Sequence, residues 1–216
     1  MHKSRLQHIR FSIFFPADDP IAVTIARLCI LREDLLLEGQ AICQASLPGL
    51  DSNGQEWRRL YFWRNSFRTL ENIRQAIHTL SCERKFNEAF KKEPLAVQKG
   101  FERLRRQLEK ISSEFLKDLR NDLGGHVSQK ATADALKRMD ADQLALLEIS
   151  ADGKVGNQHY RFATELVLQM MLPRTLVKAP NRELKKILRK VALMNWAVLI
   201  IDNIFNAYIT SRQLLD

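Results

Sequence analysis

The sequence predicts an all-α protein, an antiparallel up-and-down helical bundle with additional C-terminal helices, built as one domain over residues 1–216. Three observations lead there. Apolar residues recur at three- and four-residue intervals along most of the chain, the period of a helix face and not of a strand. Only 8 Gly and 6 Pro interrupt it, so elements are long and connections short, which makes successive helices antiparallel neighbours. Hydrophobic residues at 45% and charged residues at 27% are ordinary globular values and exclude a disordered or fibrous chain.

Residues 1–15 read as an N-terminal tail. Asp18-Asp19-Pro20 then opens the first helix, with an acidic cap and Pro at the first helical position. That helix should run to about Ser46, where Pro48, Gly49, Asp51, Ser52, Asn53 and Gly54 make a turn. A second helix, about Gln55 to Lys92, carries Leu60, Trp63, Phe67, Leu70, Ile73, Ile77 and Leu80 as its inner stripe. Pro94 closes it and opens a third helix to about Leu123, with Phe101, Leu104, Leu108, Ile111, Phe115 and Leu119 facing inward. Gly124-Gly125 supplies the left-handed backbone at which helices stop. Together, residues from about 20 to 130 form the bundle core.

The C-terminal extension, residues from about 140 to 216, is less regular. A short helix at about Lys130 to Met139 precedes it. Asp140 to Gly156 is irregular, and Leu144 to Ile149 makes a short strand or extends the helix. Two helices finish the chain, about Gln158 to Met171 and Arg182 to about Gln213, the latter capped by Asn181 after Pro180. Trp57, Trp63 and Trp196 fall in apolar periodic contexts and read as core.

Charge narrows the partners. Lys+Arg number 34 against 25 Asp+Glu, a formal charge of +9 and a pI near 9.7, the profile of a protein that meets polyanions, although a generic basic surface gives the same balance. Cys29, Cys43 and Cys82 show no Cys-x-x-Cys spacing, so neither a disulfide framework nor a metal site is encoded and no cofactor is expected. A reducing cytoplasm fits that usage. Phe11 to Phe15 is too short for a signal-peptide core and ends at Pro16. Val191 to Thr210 has the apolar content of a membrane span, but Asn195, Asp202, Asn203 and Asn206 interrupt it. Such groups are costly in lipid, so it reads as a core helix, with no membrane association expected.

The segment most suggestive of chemistry is Phe115-Leu116-Lys117-Asp118-Leu119-Arg120-Asn121-Asp122-Leu123-Gly124-Gly125-His126. On a continuous helix Arg120 and His126 would sit about 120° apart around the axis and about 9 Å apart along it. A reversal at Gly124-Gly125 can swing His126 back toward the last turn. A guanidinium grips a phosphate with two parallel hydrogen bonds, and an imidazole transfers protons near neutral pH, so the pair suits phosphodiester chemistry without a metal. Asn121 could orient either group. In the plainer alternative, Gly124-Gly125 is an ordinary helix stop, Arg120 complements the helix dipole and His126 lies at the surface.

Arg120-Asn121, four residues and then His126, at a helix end in an all-helical chain of this length, resembles the HEPN (higher eukaryotes and prokaryotes nucleotide-binding) superfamily. Tyr61-Phe62-Trp63-Arg64-Asn65 with Arg68-Thr69-Leu70-Glu71 adds to the resemblance, which covers residues from about 20 to 130. It implies a homodimer in which two motifs face each other, RNA as substrate, and a metal-independent endoribonuclease activity with Arg120, Asn121 and His126 as catalytic residues. It also implies a toxin–antitoxin or phage-defence setting with a neutralising or regulatory protein partner. Some superfamily members are inactive, so a non-catalytic RNA- or nucleotide-binding or scaffold protein is the alternative.

On the second helix, Tyr61, Arg64, Arg68, Glu71, Gln75 and His78 share one narrow polar face. Tyr61, Arg64 and Arg68 are candidate substrate-binding residues there, Tyr61 by stacking on a base. A solvated, ion-paired face with Arg68 bound to Glu71 accounts for the same spacing. The run Arg182, Lys185, Lys186, Arg189 and Lys190 reads as a charged helix terminus.

Overall fold

The computed structural model describes residues 11–44, 52–111, 129–139, 147–148, 159–160, 163, 166–167 and 180–213. The protein is all-α. Among the described residues its helices are α1 (Phe11–Phe14), α2 (Pro20–Cys43), α3 (Ser52–Cys82), α4 (Arg84–Phe90), α5 (Leu95–Ile111), α6 (Gln129–Leu136) and α7 (Pro180–Gln213). Among the described residues the sole strand pairing joins β1 (Leu147–Glu148) to β2 (His159–Tyr160), antiparallel, with Leu147 opposite Tyr160. β1 falls within the stretch expected to be a short strand or a helix extension, while β2 displaces the expected start of a helix at Gln158.

Helix α2 begins as its sequence dictates. Asp19 is extended at φ −93°, ψ 108°, and its carboxylate accepts from the Ile21 amide at 2.9 Å and the Ala22 amide at 3.4 Å, with Pro20 first in the helix. At the far end the helix stops at Cys43, three residues short of the expected end at about Ser46, and the extended Gln44 turns the chain. The buried Arg58 of α3 donates to the Gln44 carbonyl at 2.9 Å, satisfying one of the acceptors that a helix terminus leaves open.

Helices α2 and α3 form the main layer. Ile25, Leu28 and Leu35 of α2 meet Leu70, Ile73, Ile77 and Leu80 of α3, all essentially inaccessible to water. Each such side chain contributes roughly 1.5–3 kcal/mol of burial. The contacts Gln44 with Arg58 and Glu38 with Thr69 show that the two helices run in opposite directions.

The expected continuous helix from Gln55 to Lys92 is broken. Glu83 is extended at φ −80°, ψ 113°, so α3 ends at Cys82 and α4 starts at Arg84. The Asn87 side chain donates to the Ser81 carbonyl at 2.8 Å across the break. This turn brings Phe86 and Phe90 onto Phe101 of α5, at ring-centroid distances of 5.7 and 5.1 Å, and that aromatic packing is the physical reason for the break. Pro94 then leads into α5, accepting from the Val97 and Gln98 amides. The inner face of α5 is Phe101, Leu104 and Leu108, as expected, with Ile111 partly buried. Phe115, Leu119 and Gly124-Gly125 lie outside the described residues.

Helix α7 completes the core with Leu193, Met194, Ala197, Ile200, Ile201, Ile204 and Tyr208. It starts at Pro180, so Asn181 lies inside the helix and is not its cap; proline's fixed φ suits the first helical position. Ala192–Arg212 is long and apolar enough to cross a membrane by length and composition. Its polar interruptions have places in the fold: Asn195, Asn203 and Asn206 are exposed, and Asp202 accepts two hydrogen bonds from Arg32 of α2 at 2.8 and 3.0 Å. The pairs Arg32–Asp202 and Asp19–Arg212 set α7 antiparallel to α2, and Gly100–Ile200 with Arg103–Trp196 set it antiparallel to α5.

The expected tail is in part structured. Phe14 is buried, its carbonyl accepts from the Tyr208 hydroxyl, and Phe15 stacks near Phe205 and Tyr208. Phe14 and Phe15, from the apolar patch too short for a signal sequence, pack against the end of α7. Trp57 is 40% exposed, against its reading as core, while Trp63 and Trp196 are packed at the core's edge. Trp57 sits near the start of α3, before the buried stripe begins.

Candidate nucleic-acid interface

Arg120, Asn121 and His126 lie outside the described residues, as do the side chains of Arg182, Lys185, Lys186, Arg189 and Lys190. The described part of α5 ends at Ile111, nine residues before Arg120 in the chain.

The α3 face is described, and its residues divide. The Arg64 guanidinium lies over the Tyr61 ring at 5.5 Å from its centroid, and Phe62 meets that ring edge-on at 5.3 Å. Tyr61 remains 46% exposed. A cation over one ring face holds the ring in place and leaves the opposite face as the one a base could use. Arg64 Nε is buried without a hydrogen-bond partner among the described residues. Arg68, one turn on, is exposed. The structure therefore brings Tyr61 and Arg64 into contact and leaves Arg68 beside them.

Further along, the expected Arg68–Glu71 pair is replaced. Glu71 is 3% exposed and takes Arg74 as its ion-pair partner, at 2.8 and 2.9 Å through two hydrogen bonds. Arg74 also reaches Glu109 of α5 at 3.1 Å. Glu71 and Arg74 face α5, whereas Arg68 faces the α2 side. Hence the stripe that looks continuous on a helical projection is partly an interhelical network.

Sequence reasoning missed Glu38. It occupies the next position in the series Leu28, Leu31, Leu35, Glu38 on α2, a carboxylate where the rhythm calls for an apolar residue, and that irregularity is the signal that could have found it. Its Oε1 accepts from the Thr69 hydroxyl at 2.9 Å, and its Oε2 is buried with no partner among the described residues. Burial pushes its pKa up to about 7, against the opposing hydrogen bond from Thr69; nearby Asp34 raises it and Arg68 lowers it.

Also missed was the outer face of α5. Lys99, Arg103 and Arg106 are exposed and follow one another at four- and three-residue steps, so they form a cationic line about 10 Å long. With Leu95, Gln98, Glu102 and Gln107 they line a groove of about 570 Å³. The Arg103 guanidinium lies over Trp196 of α7, 4.8 Å from the ring centroid, which fixes the middle of the line. The spacing was visible in the sequence, but the alternation with Glu102 and Glu109 concealed which charges share the outer face. Glu102, among the described residues the one carboxylate in the groove lining, is paired with Arg105 at 2.9 Å, which offsets its charge beside the cationic line.

A second concavity, about 720 Å³, lies between the start of α2, α4 and the end of α7, with Phe86, Phe90, Ile204 and Tyr208 among its lining and Lys85 and Lys92 at its rim. Among the described residues no group of three or more His, Cys, Asp or Glu is placed to hold a metal ion. The three cysteines are free thiols. Comparison with protein-family models, curated proteins and solved structures finds no match to this chain.

Proposed function

We propose that this protein binds single-stranded RNA along α5 and cleaves it as a metal-independent endoribonuclease of the HEPN type. The observation that carries the proposal is the cationic line of Lys99, Arg103 and Arg106 beside an open groove, on the segment of chain that leads into Arg120-Asn121 and His126. Closely spaced cations on one face attract a phosphate backbone irrespective of base sequence. In this mechanism His126 takes the proton of a ribose 2′-hydroxyl. The oxygen attacks the adjacent phosphorus, the bond to the 5′-oxygen breaks, and that oxygen leaves with a proton. The products are a 2′,3′-cyclic phosphate and a 5′-hydroxyl. Arg120 stabilises the charge that builds on the phosphorane oxygens, and Asn121 orients the phosphate or the imidazole. A cytoplasmic toxin or phage-defence role, restrained by a protein partner, accompanies the proposal by resemblance.

The test is digestion of total cellular RNA in EDTA by wild type, Arg120→Ala and His126→Ala, with folding of each followed by circular dichroism. Cleavage by wild type alone, leaving cyclic phosphate ends, is expected. The double variant Lys99→Glu/Arg106→Glu should weaken RNA binding uniformly across sequences and lower the slope of log K against log salt by about 1 to 2. Salt-sensitive binding without cleavage by any folded form overturns the enzymatic proposal in favour of an RNA-binding module. Cleavage that survives His126→Ala overturns the assigned mechanism.

A further inference from the structure

Helix α2 has an outer face that the bundle does not use. Val23, Ile30 and Leu37 are 50%, 65% and 62% exposed, although Ile25, Leu28 and Leu35 on the same helix are buried. They recur every seven residues, so they lie within about 40° of one another around α2 and form a single apolar stripe about 21 Å long. Isolated exposed apolar residues are ordinary, but three in register on one helix make a seam.

The charges beside the seam select its occupant. Arg27 and Asp34 are exposed on the same flank, three residues before and four residues after Ile30. Among the described residues neither has a hydrogen-bond or ion-pair partner. Glu33 lies on the opposite flank, exposed, with Arg32 as its neighbour at 2.6 Å.

From this pattern we infer that a second copy of the chain packs on α2 across a two-fold axis at Ile30, with the two α2 helices antiparallel. A two-fold axis perpendicular to both helices keeps each flank opposite its own equivalent. Val23 then meets the partner's Leu37, Ile30 meets the partner's Ile30, and Arg27 meets the partner's Asp34. The last contact occurs twice by symmetry. The seam is self-complementary in charge as well as in apolar length. A parallel pairing is disfavoured, because it brings opposite flanks together and sets Asp34 beside the partner's Glu33. The inference stands on α2 alone and does not depend on ribonuclease activity.

Sedimentation equilibrium of the full chain tests it, with wild type, Ile30→Glu, Leu37→Lys, Arg27→Asp, Asp34→Arg and the double variant Arg27→Asp/Asp34→Arg. Circular dichroism confirms that each is folded, as the exposure of these side chains leads one to expect. The wild type should be a dimer, and Ile30→Glu and Leu37→Lys monomers. Each single charge reversal should weaken association by about tenfold and the double variant should restore it to within about threefold of wild type, since reversing both charges recreates the pair. A wild type that is monomeric at about 100 μM overturns the inference. So does a dimer indifferent to Ile30→Glu and Leu37→Lys, or a double variant no tighter than the single reversals.

Discussion

Replacing Glu38 by Gln should make the protein more stable than wild type above pH 7 and about equally stable below pH 5. Glu38 is set between α2 and α3 with Oε1 accepting from Thr69 and Oε2 unpartnered among the described residues, and its pKa is raised to about 7 from an ordinary 4.5. A carboxyl whose pKa is raised on folding holds its proton in the folded state at pH values where the unfolded chain has lost it. Stability therefore falls as pH rises between the unfolded and the folded value. The interval from 4.5 to about 7 corresponds to at most about 3.5 kcal/mol at 1.4 kcal/mol per tenfold, and solvent screening at the edge of the α2–α3 seam reduces it to roughly 2 kcal/mol. Gln reproduces the neutral acid: it keeps the acceptor for Thr69 and places a polar hydrogen where the acid's proton would be. Urea unfolding of both proteins from pH 4 to pH 8.5, followed by circular dichroism, gives the difference directly, because other titrating groups cancel. A difference that stays constant across pH 5–8 would refute the reasoning and show that Glu38 is hydrated.

Two further outcomes follow from packing and burial. Gly39→Ala should stabilise by about 1 kcal/mol, since a Cβ there meets nothing within 4 Å and alanine is the better helix former; Gly100→Ala should be neutral or destabilising, because its Cβ would lie 2.7 Å from Ile200 Cδ1. Equal gains at both positions in thermal unfolding would mean that α5 and α7 are not in close contact at Gly100. Titration with a coloured disulfide reagent at pH 8 should show two fast thiols, the exposed Cys43 and Cys82, and one slow thiol, Cys29, which burial and then Asp202 push up to about 11. Three equal rates would place Cys29 at the surface.

The helices were legible because burial on one side leaves a periodic record. The start of α2 at Asp19-Pro20, the opening of α5 at Pro94 and the inner faces of α3 and α5 could be read residue by residue. The break at Glu83 could not, because neither Gly nor Pro marks it and the apolar rhythm runs through it; the deciding contact, Phe86 and Phe90 on Phe101, joins residues whose proximity exists only after folding. The docking of Phe14 and Phe15 on Tyr208 escaped for the same reason, donor and acceptor being 194 positions apart in the chain. Of the candidate site, Tyr61 and Arg64 are neighbours as their spacing foretold. Glu71 was misassigned because a helical projection shows which residues share a face and not which neighbouring helix claims them. The value of Glu38, and of the line Lys99, Arg103 and Arg106, depends on exposure, which composition does not encode.

The position of α7 in the chain has a consequence for synthesis. Its contacts with α1 and α2 join residues 170 to 194 apart, so the groove that Ile200, Ile201 and Ile204 fill is open when α2 and α3 first meet. About 130 residues separate the end of α3 from the end of α7, which at bacterial to eukaryotic elongation rates is roughly 7 to 26 s of translation. Through that interval the nascent α2–α3 hairpin presents an unfilled apolar trough to solvent. A chain ending before residue 200 would lack the Ile200, Ile201 and Ile204 side chains that fill this trough and would leave the apolar faces opposite them in contact with water.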